Sequence, residues 1–239
     1  MTTAPATASD LINDQSLSLE KLWNYTSSLT KDRNVSCIAW NKKNKDILAA
    51  GYGKFEFNDE SSGLVCCWSL KNPEFPERFY KTEAGVTALA FAQKHANLLA
   101  VGLFNGNILV FDVRNNNTTS LISTSDSENK HLSPVWHLKW TEKERANSNG
   151  EEEEMEVLMS VSTDGRVTQW MIRKGFESSD YLKLKRITNK SNASNATSNS
   201  TNNATGGAAP KKEKDKSDGF ISRHSGGLCF DIWEKDRSM

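Results

Sequence analysis

Short apolar runs of five to eight residues, separated by polar turns, recur along most of this chain, and three groups of them share one pattern. The first group reads Val35-Ser-Cys-Ile-Ala-Trp40, then Ile47-Leu-Ala-Ala-Gly51, then Gly63-Leu-Val-Cys-Cys-Trp68. The second reads Val86-Thr-Ala-Leu-Ala-Phe91, Leu98-Leu-Ala-Val-Gly102 and Gly106-Asn-Ile-Leu-Val-Phe111. The third reads Val135-Trp-His-Leu-Lys-Trp140, Val157-Leu-Met-Ser-Val161 and Gly165-Arg-Val-Thr-Gln-Trp170. Val35, Val86 and Val135 lie 51 and 49 residues apart, and each leads by five positions to an aromatic residue. Runs this short, closed by turn signals such as Asp164-Gly165, read as strands. They are apolar on both faces, as strands are when other layers pack on either side.

A repeat of about fifty residues with three or four strands per unit predicts an all-β fold, the β-propeller. The runs above supply strands a, b and c of each blade. An outer strand d is expected at 77–81, 119–123 and 181–187, which places the repeats near 35–81, 86–123 and 135–187. The lysines of the last of these suit an outer edge, where charge discourages pairing with other chains. Ahead of the first repeat, residues 19–26 set Trp23 and Tyr25 at period two, as in a half-buried strand. Such a strand is expected to belong to the last blade and close the ring, so the blades span 19–187. After them, Gly226-Gly-Leu-Cys-Phe-Asp-Ile-Trp233 reads as strand a of a further repeat within 220–239. About three blades and one strand fall short of the roughly four to eight that close a ring. The expectation is an incomplete propeller, a piece of a longer protein.

The stretches between strands differ. Residues 1–18 are small and polar and are expected to be disordered, and the low-complexity segment 188–219 reads as a flexible linker. Repeat one spans Gly51 to Gly63 between strands b and c, where repeat two has only the turn 103–106. Tyr52, Phe55 and Phe57 in that loop are candidate partner-binding residues, because aromatic side chains are favoured interface anchors. The equal alternative is that the two phenylalanines pack back onto their own blade. Repeat three holds 141–156 between strands a and b, and its acidic run at 151–154 reads as a solvated loop.

Composition removes several function classes. Thirty basic residues balance thirty acidic ones, so no global field favours nucleic acid or a membrane surface. No apolar run approaches the roughly 20 residues of a membrane-spanning helix. The N-terminus lacks the basic and apolar regions of a secretory signal. Cys37, Cys66, Cys67 and Cys229 form no CxxC pair, and a reducing cytoplasm suits them better than a disulfide framework. His95, His131, His137 and His224 show no metal-ligand spacing, and no nucleophile or phosphate-loop motif is present. No catalytic residue, metal or cofactor is expected.

The spelling of the strands narrows the reading further. His131, Ser162 (or Ser160), Asp164 and Trp170 stand in the order of the hydrogen-bonded tetrad that ties a WD-repeat blade together, with Ser162 the preferred hydroxyl. Repeat two has Asn105 near the turn and Phe111 in place of Trp, and repeat one lacks both the His and the Asp. These resemble divergent WD repeats. Gly51-Tyr-Gly with Phe55 and Phe57, Ser69-Leu-Lys-Asn-Pro-Glu-Phe-Pro-Glu77, Ser133-Pro-Val-Trp-His-Leu-Lys-Trp140 and Ser160-Val-Ser-Thr-Asp-Gly-Arg-Val-Thr-Gln-Trp170 resemble axonemal dynein intermediate chains. The resemblance is to the intermediate chain 1 type of the outer arm, over 19–187 and 226–232.

That resemblance implies a non-catalytic scaffold subunit whose WD-repeat propeller binds dynein heavy chain, beside other intermediate chains, on the microtubules of a cilium axoneme. Light-chain binding is not carried over, because almost nothing precedes the first repeat. The repeat geometry alone would equally permit an unrelated cytosolic WD-repeat adaptor. The insertion Asn72-Pro-Glu-Phe-Pro-Glu77 separates the two, since a generic adaptor has no reason to carry it.

Overall fold

The computed structural model describes residues 19–53, 61–146, 152–172, 175–185 and 225–233. Each apolar repeat becomes one four-stranded antiparallel sheet, ordered as in sequence. Blade one holds β1 (Asn34–Trp40), β2 (Ile47–Gly53), β3 (Ser61–Ser69) and β4 (Arg78–Ala84). Blade two holds β5 (Val86–Phe91), β6 (Leu98–Leu103), β7 (Ile108–Asp112) and β8 (Ile122–Ser123). Blade three holds β9 (Val135–Ala146), β10 (Glu152–Ser162), β11 (Arg166–Met171) and β12 (Glu177–Lys183). No α-helix occurs among the described residues. The architecture is an open, incomplete β-propeller.

Blades stack face to face, and each junction is keyed. Gly51 on β2 faces Val86 of the next blade, and a Cβ there would lie 2.5 Å from its Cγ1. Gly102 on β6 faces Val135 in the same way, at 2.9 Å. Beyond blade three the roles reverse, since a Cβ on Gly227 would collide with Val161 of β10. Hydroxyls staple the first two junctions. Ser36 Oγ donates to the Val86 carbonyl and Thr87 Oγ1 to the Val135 carbonyl, both at 2.5 Å. Further out, Tyr80 of β4 stacks on Phe111 of β7 with centroids 4.3 Å apart.

Trp40, Phe91 and Trp140 occupy one position, each paired in register with a leucine: Leu48, Leu99 and Leu158. Their burial differs. Phe91 is 3% and Trp140 2% exposed, whereas Trp40 is 51% exposed beside Val35 and Ile38. The outer face of β1 has no blade against it among the described residues.

Three expectations need correction. Residues 19–27 form no strand, although Tyr25 sits on Trp68 with ring centroids 5.4 Å apart and Thr26 N–H donates to the Pro73 carbonyl. A strand needs a ladder partner, and no strand among the described residues pairs with this segment. Residues 225–233 likewise form no strand and pair with none among the described residues. Gly227 N–H nonetheless donates to the Ser162 carbonyl, and Phe230 and Ile232 pack on Met159, Val161 and Val167.

The third correction concerns blade three. The expected acidic loop is a hairpin, because the β9–β10 ladder continues to Ala146 opposite Glu152. Lys94 of blade two draws Glu142 and Glu154 from its two arms, at 3.7 and 2.6 Å. Strand d also begins earlier than expected, since β12 pairs with β11 from Glu177 opposite Met171. Residues 1–18 and 188–219 lie outside the described residues.

Candidate partner-binding surface and the blade-three tetrad

Among the described residues, the constellation that most resembles a site is the buried polar chain of blade three. The β11 register sets Trp170 opposite Leu158, so its indole reaches Ser160 two pairs along the ladder on the same face, and Nε1–H donates to Ser160 Oγ at 2.7 Å. Ser160 Oγ lies 2.7 Å from His131 Nε2, and His131 Nδ1 lies 2.9 Å from Asp164 Oδ2. Proton order follows from the ends. Trp170 only donates and the Asp164 carboxylate only accepts, so Ser160 donates to Nε2 and the imidazole carries its proton on Nδ1. Asp164 also takes the Leu132 and Arg166 N–H groups and Arg166 Nε. Burial pushes this carboxyl upward. The hydrogen bond from His131, with the backbone N–H and charge of Arg166, more than offsets that and holds it well below the usual carboxylate range.

The preferred hydroxyl was Ser162, and the structure replaces it with Ser160. A register shift between Val161 and Ser162 turns Ser162 toward the neighbouring turn, where Oγ donates to the Ser133 carbonyl and accepts from Asp164 N–H. Ser160→Ala should therefore cost about 1–3 kcal/mol of blade stability by stranding the Trp170 donor, and Ser162→Ala less, as compared by urea unfolding. His131 is wholly buried, so the chain binds a blade together and presents no group to a substrate.

Blade one solves the same problem with other atoms. Ala50 holds the place of Ser160, and the Trp68 indole instead donates to the Tyr52 hydroxyl at 3.1 Å. Tyr52 is only 5% exposed, so it is a packing residue and not the exposed anchor that was expected. The sequence carried the signal. An Ala at the hydroxyl position leaves the indole without an acceptor, and Tyr52 two residues on is the next polar group of that face. Phe55 and Phe57 lie outside the described residues. Between blades one and two, Glu83 of β4 accepts from Asn105 and Asn107, which holds its carboxyl below its ordinary value.

The remaining chemistry is quiet. Burial pushes the Cys66 and Cys67 thiols up to about 12 and Cys37 to about 11, far from the range of a nucleophilic thiolate. Among the described residues no three His, Cys, Asp or Glu side chains converge as a metal site would require. No described helix is long and apolar enough to cross a membrane.

No family model matches the chain. Curated relatives do. Dynein axonemal intermediate chain 4 of Xenopus laevis is 45% identical over 228 residues, covering 95% of this chain and 28% of that protein. Dynein axonemal intermediate chain 1 of Rattus norvegicus is 31% identical over 179 residues, 74% of this chain and 24% of its own length. The 78 kDa intermediate chain of the Chlamydomonas reinhardtii flagellar outer arm is 37% identical over 167 residues, 70% of this chain and 23% of its own. Among solved structures, the β-propeller domain of Cps50 (Swd1) from Myceliophteria thermophila aligns with a TM-score of 0.45 at 13% identity, over 66% of this chain and 40% of that one. The chain thus spans about a quarter of the length of the relatives it matches. By homology it belongs to the axonemal dynein intermediate chains.

Proposed function

We propose that this chain serves as a non-catalytic scaffold subunit of an axonemal dynein complex, holding dynein heavy chain through its propeller and supporting cilium movement. The observation that carries the reading is the 45% identity over nearly the whole chain to an axonemal intermediate chain. The geometry agrees, because the one buried polar constellation is spent on packing a blade and every described strand-borne thiol is buried or half-buried. In this reading the protein works at the axoneme, part of the cytoskeleton, beside other intermediate chains and on microtubules through the complex. Phe55 and Phe57 are its proposed contact residues.

A tagged form of the chain, placed in its full-length context and expressed in ciliated cells, should recover dynein heavy chain. The Phe55→Ser/Phe57→Ser form should recover several-fold less at equal expression. Absence of heavy chain from the parent's precipitate would remove the scaffold reading. Equal recovery by a folded double variant would remove only the loop.

A further inference from the structure

Between blades one and two, at the end of the sheets opposite the β2–β3 and β6–β7 turns, lies a cleft of about 410 Å³. Its floor is Ile47, Cys67 and Val113, and Lys43, Lys71, Arg78 and Arg114 line it. Arg114 is engaged by Asp112, whose carboxyl it holds down to about 2. Among the described residues the other three cations meet no carboxylate. Lys43 Nζ donates to the Lys94 carbonyl at 2.8 Å and Arg78 Nη1 to the Glu77 carbonyl at 2.6 Å. Two acids, Asp46 and Glu77, also line the cleft but lie within ion-pair distance of none of them.

One donor of this lining is stranded: Arg78 Nε is buried with no hydrogen-bond partner among the described residues. A buried donor left unpaired is destabilising, and an entering acceptor would relieve it.

The next junction shows what such an acceptor looks like. Between blades two and three, at the same end, Glu156 of β10 lies beneath the turn after β5, its side chain 3% exposed. Its carboxylate accepts the N–H groups of Gln93, Lys94 and His95, while Glu142 and Glu154 reach Lys94. The acid is built in there. At the blade one–two junction the cations and a stranded donor are present, and among the described residues no carboxylate reaches Lys43, Lys71 or Arg78.

We propose that this cleft is a docking site for an acidic protein segment, whose Asp or Glu carboxylate takes Arg78 and the two lysines as Glu156 takes the turn at 93–95. The scaffold reading enters only in making the bearer of the acid a protein. The following assay contains no dynein, so the two stand or fall separately.

The 239-residue chain is titrated into a fluorescein-labelled peptide of alternating Glu and Gly at low salt, and anisotropy is read. Saturable binding is expected, weakened at least about tenfold by Lys43→Gln/Lys71→Gln, two exposed positions whose change leaves the fold intact by circular dichroism. Arg78→Gln should weaken it further. Lys81→Gln/Lys185→Gln, which removes the same charge elsewhere, should change it by less than about twofold. No binding by the parent, or equal losses in both double variants, would overturn the proposal. Displacement of the peptide by equimolar inorganic phosphate would also overturn it, marking a small-anion site instead.

Discussion

Asp164→Ala should destabilise blade three by about 3 kcal/mol in urea unfolding followed by tryptophan fluorescence. The carboxylate is nearly buried and takes donors from His131, Leu132 and Arg166, so its loss strands a buried imidazole N–H and leaves Arg166 with Asp180 as its one carboxylate partner among the described residues. Asp164→Asn keeps an acceptor and should lose roughly half as much. The effect has a pH signature. A carboxyl whose folded value lies below its unfolded one stabilises fully above the unfolded value near 4, and loses that contribution as pH falls below it. The parent should therefore lose stability between about pH 4 and pH 2 more steeply than the alanine variant, and the gap between them should narrow toward acid. A constant gap across that window would show that Asp164 acts by shape alone.

Gly106→Ala should cost about 3 kcal/mol, and its comparison with Gly175→Ala isolates the reason. Both glycines hold left-handed backbone, at φ +86° and +77°. A Cβ on Gly175 would meet nothing within 4 Å, whereas one on Gly106 would strike the carbonyl of His131. Gly175→Ala should thus carry only the backbone strain, about 1 kcal/mol. Gly106→Ala adds a collision with backbone that cannot swing aside, and it pushes on the residue that starts the tetrad. The two variants measured side by side by thermal unfolding should differ by at least about 1.5 kcal/mol.

The blades were legible because the repeat fixes both period and burial. The five-residue offset from Val35, Val86 and Val135 lands on Trp40, Phe91 and Trp140, and all three take one register position. What the pattern could not show was anything that depends on a neighbour. Residues 19–27 carry a strand's alternation, yet alternation makes a strand only beside another one. The acidic stretch of repeat three looks solvated until Lys94 and the turn at 93–95, some sixty residues away in sequence, are brought under it. Ser160 and Ser162 share a face by parity, and only the shift at Val161 decides between them. Tyr52 looked like an exposed aromatic because its partner Trp68 lies one strand away.

The glycine–valine contacts between blades have a consequence for how such genes can vary. Repeats of one fold are exposed to unequal crossing-over, which deletes, duplicates or reorders them. Here the order is written into the seams. Exchanging repeats two and three would set Val161 against Val86, valine on valine in a space made for one side chain. It would also set Gly102 against Gly227, leaving a void where no side chain enters. Overpacking and cavities each cost about 1–3 kcal/mol or more, so a shuffled array would be penalised at two seams at once. Duplicating repeat one or two alone keeps a glycine facing a valine at every new seam. Recombination is thereby steered toward changes that lengthen the front of the array and away from those that displace its third unit.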